Sequence, residues 1–395
     1  MRLSVDLEGL SAVNIFDTLC KKALAAGVSD IHGEPFADFF RIRFRIDGVL
    51  YEITHLANER AQALVSRIKI LAGIDISERR LPQDGQCTFE YYLPNSSMRA
   101  IDVRVATFPT VYGEKFTLRL LDTERGKLTL EQTGVSTIHM QKLLHYFNQQ
   151  QGFILVCGPT GSGKTTTLYA ALSRMHTIER HIVTLEDPVE YMVEGVVQAS
   201  VVPKIGFTFA KGIRAILRHD PDVIMVGEIR DAETADAAIA AALTGHLVLS
   251  TTHTATALGS LLRLFDMGIE PYVLTASLSC VLAQRLVRRL CSYCREEYVL
   301  SAEERTIIAG DVPKKVFQKK GCEKCFGTGY HGRIGIFELL EITEDLRAAI
   351  GKRAFMKELK YVAERSGFRP FSADAYTKVE DGLISFSEYI SLLSM

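Results

Sequence analysis

The stretch FILVCGPTGSGKT, residues 153–165, decides the fold of this chain. Its first five residues are apolar and predict a buried strand, and the GxxxxGK pattern after them is a phosphate-binding loop that leads into a helix. Glycines let the backbone N–H groups of such a loop point at a phosphate, while Lys164 supplies charge to the outer phosphates and Thr165 a hydroxyl to Mg²⁺. The motif predicts an α/β domain that binds ATP through Gly158, Pro159, Thr160, Gly161, Ser162, Gly163, Lys164, Thr165 and Thr166.

Short apolar runs with helical stretches between them follow this loop. They are HIVTLE (181–186), DVIMVGE (222–228) and HLVLSTTH (246–253), and the pattern predicts a parallel sheet covered on both faces. Ligands of open α/β sheets bind at the carboxyl ends of the strands, where Glu186 and Glu228 stand. Hydrolysis needs one carboxylate to activate water and another to hold the Mg²⁺ shell. His246 and His253 flank the last run, and each by itself is more typical of a structural histidine.

The N-terminal residues have another pattern. A helical periodicity ends at Gly27, a second helix is predicted over 56–72, and Asp47-Gly48 predicts a tight hairpin turn. Three further alternating runs predict strands, with a turn at 94–97. We therefore expect a small α+β domain over 1–122, a polar hinge linker over 123–133, and an ATPase domain over 134–395 whose last part, 336–395, is helical.

Four of the eight cysteines form two CxxC pairs, Cys291 with Cys294 and Cys322 with Cys325, separated by 27 residues. Paired CxxC sequences place four thiolates around one tetrahedral ion, so the segment 285–335 is predicted to hold a closed structural Zn²⁺. The other cysteines, Cys20, Cys87, Cys157 and Cys280, are isolated and predicted to be small core residues.

Charge and hydropathy exclude several classes of protein. The 46 Lys and Arg residues nearly balance the 47 Asp and Glu residues, so the chain as a whole has no field that would gather nucleic acid. It has neither a signal-peptide pattern nor an apolar run long enough to span a membrane, which predicts a cytoplasmic protein. The one dense basic cluster, residues 285–289, is interpreted as a helix end that faces solvent or phosphate.

In this order, the motifs resemble those of the secretion ATPases of type II secretion and type IV pilus systems, the GspE/PilB group. GPTGSGKTTTLY resembles the Walker A motif of that family, and TLEDPVEY (184–191) its Asp box. DPDVIMVGEIRD (220–231) resembles its atypical Walker B motif, with Gly227 where an Asp is usual, and TGHLVLSTTHT (244–254) its His box. GVSDIHGEP, RFRIDG, RLPQDGQ and DVRVATFPTVYGEKFTLRLLD, all within 27–122, resemble its second N-terminal domain.

The resemblance implies a PAS-like N-terminal domain, a RecA-like ATPase domain with a tetracysteine insertion, and a homo-hexamer with nucleotide between the two domains. It also implies that Arg104 and Arg119 approach the phosphates and that His253 senses the γ-phosphate. Glu186 is implied as the base that activates water and Glu228 as the ligand of Mg²⁺-bound water, although the two roles are exchangeable. The family's first N-terminal domain is expected to be missing from this chain.

The function implied is hydrolysis of MgATP to power type II protein secretion or type IV pilus assembly. The ATPase is expected to work at the inner membrane, as a peripheral protein, through a platform protein. Tetracysteine loops mark the secretion and assembly members of the family, whereas retraction ATPases lack them. Three alternatives stay open: a nucleic-acid-translocating RecA-like motor, an ATPase of a DNA-uptake pseudopilus, and a nucleotide-gated adaptor without turnover.

Overall fold

The computed structural model of the protein describes residues 5–92, 98–122, 127–307 and 316–394. The chain divides into two units: Met1–Glu124 with Arg288–Arg333, and Arg125–Val287 with Ile334–Met395. The four paired cysteines thus lie in the same unit as the N-terminal part of the chain, whereas the sequence prediction grouped them with the ATPase domain. The predicted turn at 94–97 and residues 123–126 of the predicted linker lie outside the described residues.

The first unit is built on an antiparallel sheet with the strand order β3-β2-β1-β6-β5-β4. The predicted first helix is confirmed: it starts after the Ser11 cap and ends at Gly27, whose φ of 70° suits glycine. The strand β1 was not predicted, because its residues mix polar and apolar side chains without clear alternation. The elements are α1 (Ala12–Ala26), β1 (Val28–Pro35), β2 (Phe40–Ile46), β3 (Val49–Leu56), α2 (Asn58–Leu71), β4 (Gln83–Tyr92), β5 (Met98–Thr110) and β6 (Gly113–Leu121).

The two faces of this sheet differ in polarity. Along β2 the side chains alternate between a buried position, such as Ile42 or Phe44, and a partly exposed arginine. The buried positions belong to a hydrophobic core that also contains Leu19 of α1 and Leu64 of α2. The opposite face therefore presents polar and charged side chains of the central strands, among them the arginines considered below.

The second unit contains a seven-stranded sheet with the order β15-β12-β7-β11-β10-β8-β9. Its strands from β12 to β9 run parallel, which confirms the predicted α/β class and parallel sheet. The strands of this sheet are β7 (Gly152–Cys157), β8 (Ile182–Glu186), β9 (Val197–Ser200), β10 (Val223–Val226), β11 (Leu247–Thr252), β12 (Leu278–Leu290) and β15 (Tyr330–Glu341). Two short strands, β13 (Glu296–Tyr298) and β14 (Val316–Gln318), pair antiparallel in the first unit.

Two predictions about this region were wrong. The basic cluster at 285–289 lies on strand β12 and not at a helix end, and residues 336–341, the start of the predicted helical part, continue strand β15. Residues 334–340 of β15 are all buried, so this run lacks the alternation that separates a strand from a helix. The basic cluster continues a strand whose first part, 278–284, is almost wholly buried in the same way. The helices are α3 (Thr137–Phe147), α4 (Lys164–Met175), α5 (Phe209–Ile216), α6 (Ala232–Leu243), α7 (Ala257–Asp266), α8 (Pro271–Ser277), α9 (Ala302–Ile307), α10 (Glu344–Gly351), α11 (Met356–Arg365), α12 (Phe371–Glu380) and α13 (Phe386–Leu393).

A buried carboxylate joins two of these helices to the sheet. Glu338 of β15 accepts the backbone N–H of Ala257 at 2.7 Å and of Phe371 at 3.3 Å, the first residues of α7 and α12. A negative group at a helix N-terminus satisfies free N–H groups and complements the helix dipole. Leu130, within the predicted linker, is buried in the hydrophobic core of the second unit, with Ile154 of β7 and Phe337 of β15. None of the helices in the described ranges combines the length and apolar character of a membrane span.

Candidate active site

The phosphate-binding loop connects β7 to α4, as predicted. Gly158, Gly161 and Gly163 have φ values of 150°, 78° and 87°, a region that favours glycine over other residues. A Cβ on Gly158 would lie 2.3 Å from the carbonyl oxygen of Gln284, and one on Gly163 would lie 2.8 Å from its side-chain nitrogen. Glycine is thus required at both positions for backbone conformation and for close packing against β12.

Polar groups of this loop are oriented for an anion. The Lys164 ammonium is mostly buried and donates to the carbonyl oxygens of Gly158 at 2.7 Å and Pro159 at 3.1 Å. Burial holds the pKa of Lys164 below its usual value, and the nearby charge of Glu228 offsets only part of that effect. Among the described residues, the buried Ser162 hydroxyl has no hydrogen-bond partner. An unsatisfied hydroxyl, a nearby ammonium and a glycine-lined loop at a helix N-terminus fit the phosphates of ATP.

Glu228 follows directly after β10 and lies in a charged cluster. His253 Nε2 is 2.9 Å from its Oε2, and Arg230 forms an ion pair with its other oxygen. Burial raises the pKa of Glu228, but the hydrogen bonds from Arg230 and His253 outweigh that effect and lower it. The carboxylate is therefore ionised at neutral pH and held at the carboxyl edge of the sheet.

Gly227, which replaces the usual Asp of the Walker B motif, has a structural explanation. A Cβ at this position would lie 3.3 Å from the Cα of Glu186 on the neighbouring strand β8. The carbonyl oxygen of Gly227 accepts the Thr251 hydroxyl at 2.8 Å. The close approach of β8 and β10 therefore favours glycine, and the acidic residue comes one position later.

Glu186 ends β8 and is almost fully buried, with an exposed fraction of 3%. Its Oε1 accepts the Thr184 hydroxyl at 2.6 Å and the Gln198 amide at 3.2 Å, and its Oε2 accepts the Tyr169 hydroxyl. The carboxylate is therefore surrounded by three neutral donors, in contrast to Glu228 with its charged partners.

The topology brings these groups to one edge. Strands β7, β11, β10 and β8 are consecutive neighbours in the sheet and run parallel, so the phosphate loop, His253, Glu228 and Glu186 follow one another along their carboxyl ends. Neighbouring strands are about 4.8 Å apart, so the backbone of Glu228 lies roughly 10 Å, and that of Glu186 roughly 14 Å, from the strand that carries the loop. His246 precedes β11 and so lies at the opposite edge.

Arg104 and Arg119 belong to the first unit, where they form a pair. They stand directly opposite each other in the β5–β6 register and line an open cavity of about 500 Å³ on the polar face of the sheet. Arg119 donates from Nε to Oδ1 of Asp30 at 2.9 Å and remains largely exposed. Burial raises the pKa of Asp30, but hydrogen bonds from Arg119 and Ser29 outweigh it and lower the pKa. The sheet thus holds two guanidinium groups side by side.

The four paired cysteines converge as predicted. The sulfur atoms of Cys291 and Cys322 are 3.8 Å apart, as are those of Cys294 and Cys325, and Cys322 lies 3.7 Å from Cys325. A tetrahedron with Zn–S bonds of about 2.3 Å has edges of about 3.8 Å. Backbone N–H groups of Cys322 and Gly329 also donate to the Cys325 sulfur, at 3.1 and 3.2 Å. The donor set and its spacing fit a structural zinc ion.

Fold and site together define an ATP-hydrolysing P-loop enzyme with a RecA-like α/β domain. A sequence model of the family described as "Type II/IV secretion system protein" matches residues 8–391. The chain belongs to this family.

Relatives and a solved structure agree with that assignment. The type II secretion system protein E of Dickeya dadantii (strain 3937) is 52% identical, over 86% of this chain and 67% of that protein. The type IV pilus assembly ATPase PilB of Myxococcus xanthus (strain DK1622) is 42% identical, over 96% of this chain and 67% of its own length. The crystal structure of the pilus retraction motor PilT with bound ADP has a TM-score of 0.59 and 26% identity, and covers 95% of this chain and 96% of that one.

These findings confirm the predicted family, its fold class and an ATPase activity of the secretion and pilus motor type. They give no support to the alternative of a nucleic-acid motor, and they argue against an adaptor without turnover. Three residues of the site were not predicted: Tyr169, Gln198 and Gln284. Tyr169 is the last residue of the stretch that resembles the Walker A motif, but that motif assigns it no role, and no local motif marks Gln198 or Gln284. Each of the three acts through a contact with a residue outside its own segment. Arg230 lies within the Walker B segment, two residues after Glu228. Its positive charge close to that carboxylate is the sequence signal that could have identified it.

Proposed function

We propose that this chain is the motor ATPase of a type II secretion system and hydrolyses MgATP in a ring of six copies at the cytoplasmic side of the inner membrane. The observation that carries the proposal is the alignment of the phosphate loop, His253, Glu228 and Glu186 along one edge of a parallel sheet. The choice of secretion over pilus assembly is supported by the proteins named for type II secretion among its relatives, one of them 52% identical.

The residues have distinct proposed roles. Lys164 and the loop N–H groups hold the phosphates, and the exposed Thr165 hydroxyl together with Glu228 holds Mg²⁺ and its water. Glu186 orients or deprotonates the attacking water, while His253 donates toward the γ-phosphate. Arg104 and Arg119 offset the charge that develops on the transferred phosphoryl group. Mg²⁺, when bound, neutralises phosphate charge and polarises the bond that breaks.

The partner is tested by affinity purification of the tagged full chain from native membranes, followed by mass spectrometry. We expect a polytopic inner-membrane platform protein and other type II secretion components to be recovered. Sedimentation of the purified protein with a non-hydrolysed ATP analogue should give the mass of six copies of the 43.9-kDa chain. Recovery of pilus components would move the proposal to pilus assembly, and recovery of nucleic acid or of soluble proteins alone would refute it.

The tetracysteine site is proposed to hold one structural Zn²⁺ per chain. Four thiolates leave no open coordination position for substrate, so the ion contributes to folding and not to hydrolysis. Both ends of the segment belong to long strands, β12 and β15. A metal ion that closes the loop between these two strands would stabilise the loop, in the way that a hydrophobic core stabilises a larger unit.

Replacing Cys322 with serine is expected to remove zinc and unfold the segment between the two CxxC pairs, while the phosphate loop still binds nucleotide. The reason is that metal binding and folding are coupled in small metal-bound segments, at about 10 to 16 kcal/mol in zinc-finger peptides. Zinc content, proteolysis of the segment and titration with fluorescent ADP measure the three effects. Cys87→Ser is the control, because Cys87 lies outside the cluster. Full zinc content in Cys322→Ser would contradict the assignment.

A further inference from the structure

Tyr169 connects the phosphate-loop helix to Glu186. It lies on α4, the helix that begins at Lys164, and its ring is buried with an exposed fraction of 1%. Its hydroxyl donates to Oε2 of Glu186 on β8. Since β8 and β7 are separated by two strands, this hydrogen bond joins the two sides of the site through side chains alone.

The ring and hydroxyl of Tyr169 are fixed by further contacts. The ring packs edge-on against Tyr191, with centroids 4.6 Å apart and an interplanar angle of 81°. The hydroxyl oxygen also accepts the backbone N–H of Glu190 at 3.3 Å. Burial and the nearby charge of Glu186 raise the pKa of Tyr169, so the phenol keeps its proton and remains a donor at physiological pH.

The loop after β8 is tied to the same carboxylate by a second residue. Gln198 of β9 donates to Oε1 of Glu186 and to the carbonyl of Tyr191, each at 3.2 Å. The side-chain oxygen of Gln198, Oε1, accepts the backbone N–H of Val193 at 2.7 Å. Gln198 therefore binds both Glu186 and the loop after β8, and Tyr169 binds Glu186 and that loop from the helix that starts at the phosphates.

We propose that Tyr169 is a positioning residue that sets the orientation of Glu186 for hydrolysis and couples it to the phosphate-loop helix. Tyr169 acts through Glu186 and makes no contact with the reacting atoms. A shift of α4 on nucleotide binding would move the tyrosine hydroxyl and with it the carboxylate. The inference rests on the proposed role of Glu186 in activating water.

The test is the variant Tyr169→Phe, which keeps the ring and removes only the hydroxyl. We expect kcat of the full-length oligomer to fall about 10- to 100-fold, the effect of one lost hydrogen bond to a charged group, without a change in KM or in affinity for fluorescent ADP. In a Glu186→Gln background, Tyr169→Phe should change kcat by less than about twofold, because residues acting as one unit are not additive.

Tyr146→Phe is the matched control. The Tyr146 hydroxyl donates to a glutamate, Glu341, at 3.1 Å, so this variant removes the same kind of bond outside the site and should leave kcat unchanged. Wild-type kcat in Tyr169→Phe, with a reduced kcat in Glu186→Gln, would overturn the inference alone. An equal further loss in the double variant would also overturn it. Wild-type kcat in Glu186→Gln would instead refute the role of Glu186, and with it the basis of the inference.

Discussion

ATP hydrolysis by the Lys164→Ala variant is expected to fall by about 10³-fold, together with a large loss of nucleotide affinity. The Lys164 ammonium is the charged donor of the loop, and it is held at its place by the carbonyl oxygens of Gly158 and Pro159. Alanine removes the charge that faces the phosphates and leaves the carbonyl groups of the buried Gly158 and the exposed Pro159 without that donor. Steady-state hydrolysis and titration with fluorescent ADP measure the two losses.

Lys204→Ala is the control for this experiment, because Lys204 is an exposed residue of the same unit. It should hydrolyse ATP at the wild-type rate. Circular dichroism and the mass of the oligomer would show that Lys164→Ala is folded. A folded Lys164→Ala protein with wild-type affinity and turnover would remove the phosphate loop from the site.

Glu228→Gln is expected to bind ATP and fail to hydrolyse it, with kcat lowered by at least about 100-fold. Glutamine preserves the size of the side chain but not the negative charge that pairs with Arg230 and His253. Because those hydrogen bonds lower the pKa of Glu228, the wild-type residue is charged across the neutral range. The neutral amide is a poor ligand for Mg²⁺ and its water, so ATP should remain on the protein intact.

Rapid filtration of radiolabelled ATP and analysis of the bound nucleotide distinguish trapping from weak binding. Glu233→Gln is the matched control, since Glu233 also pairs with an arginine, Arg214, but both side chains are largely exposed. Its kcat should match that of the wild type. A fully active Glu228→Gln enzyme would show that another residue holds the water bound to Mg²⁺. Glu186 would then be tested for that role.

Much of the active site was predictable because its signals are local. A glycine-rich loop between a buried strand and a helix is recognised from its own residues. Acidic residues at the ends of apolar runs are recognised because parallel sheets bind ligands at the carboxyl ends of their strands. The same holds for the zinc-site candidates, because each CxxC pair is short. The strands β12 and β15 were missed, since their burial on two faces hides the alternation on which such predictions rely.

Local sequence by itself determined the phosphate loop, the turn at Asp47-Gly48, the first helix and the identity of the four paired cysteines of the candidate zinc site. Each depends on backbone preferences or side-chain chemistry within a few neighbouring residues. Tertiary structure decided which strands are neighbours, and so placed Glu228 beside His253, Glu186 beneath Tyr169, and Arg104 opposite Arg119. The members of these pairs are separated in the chain, and strand pairing together with the packing of α4 on the sheet places them side by side.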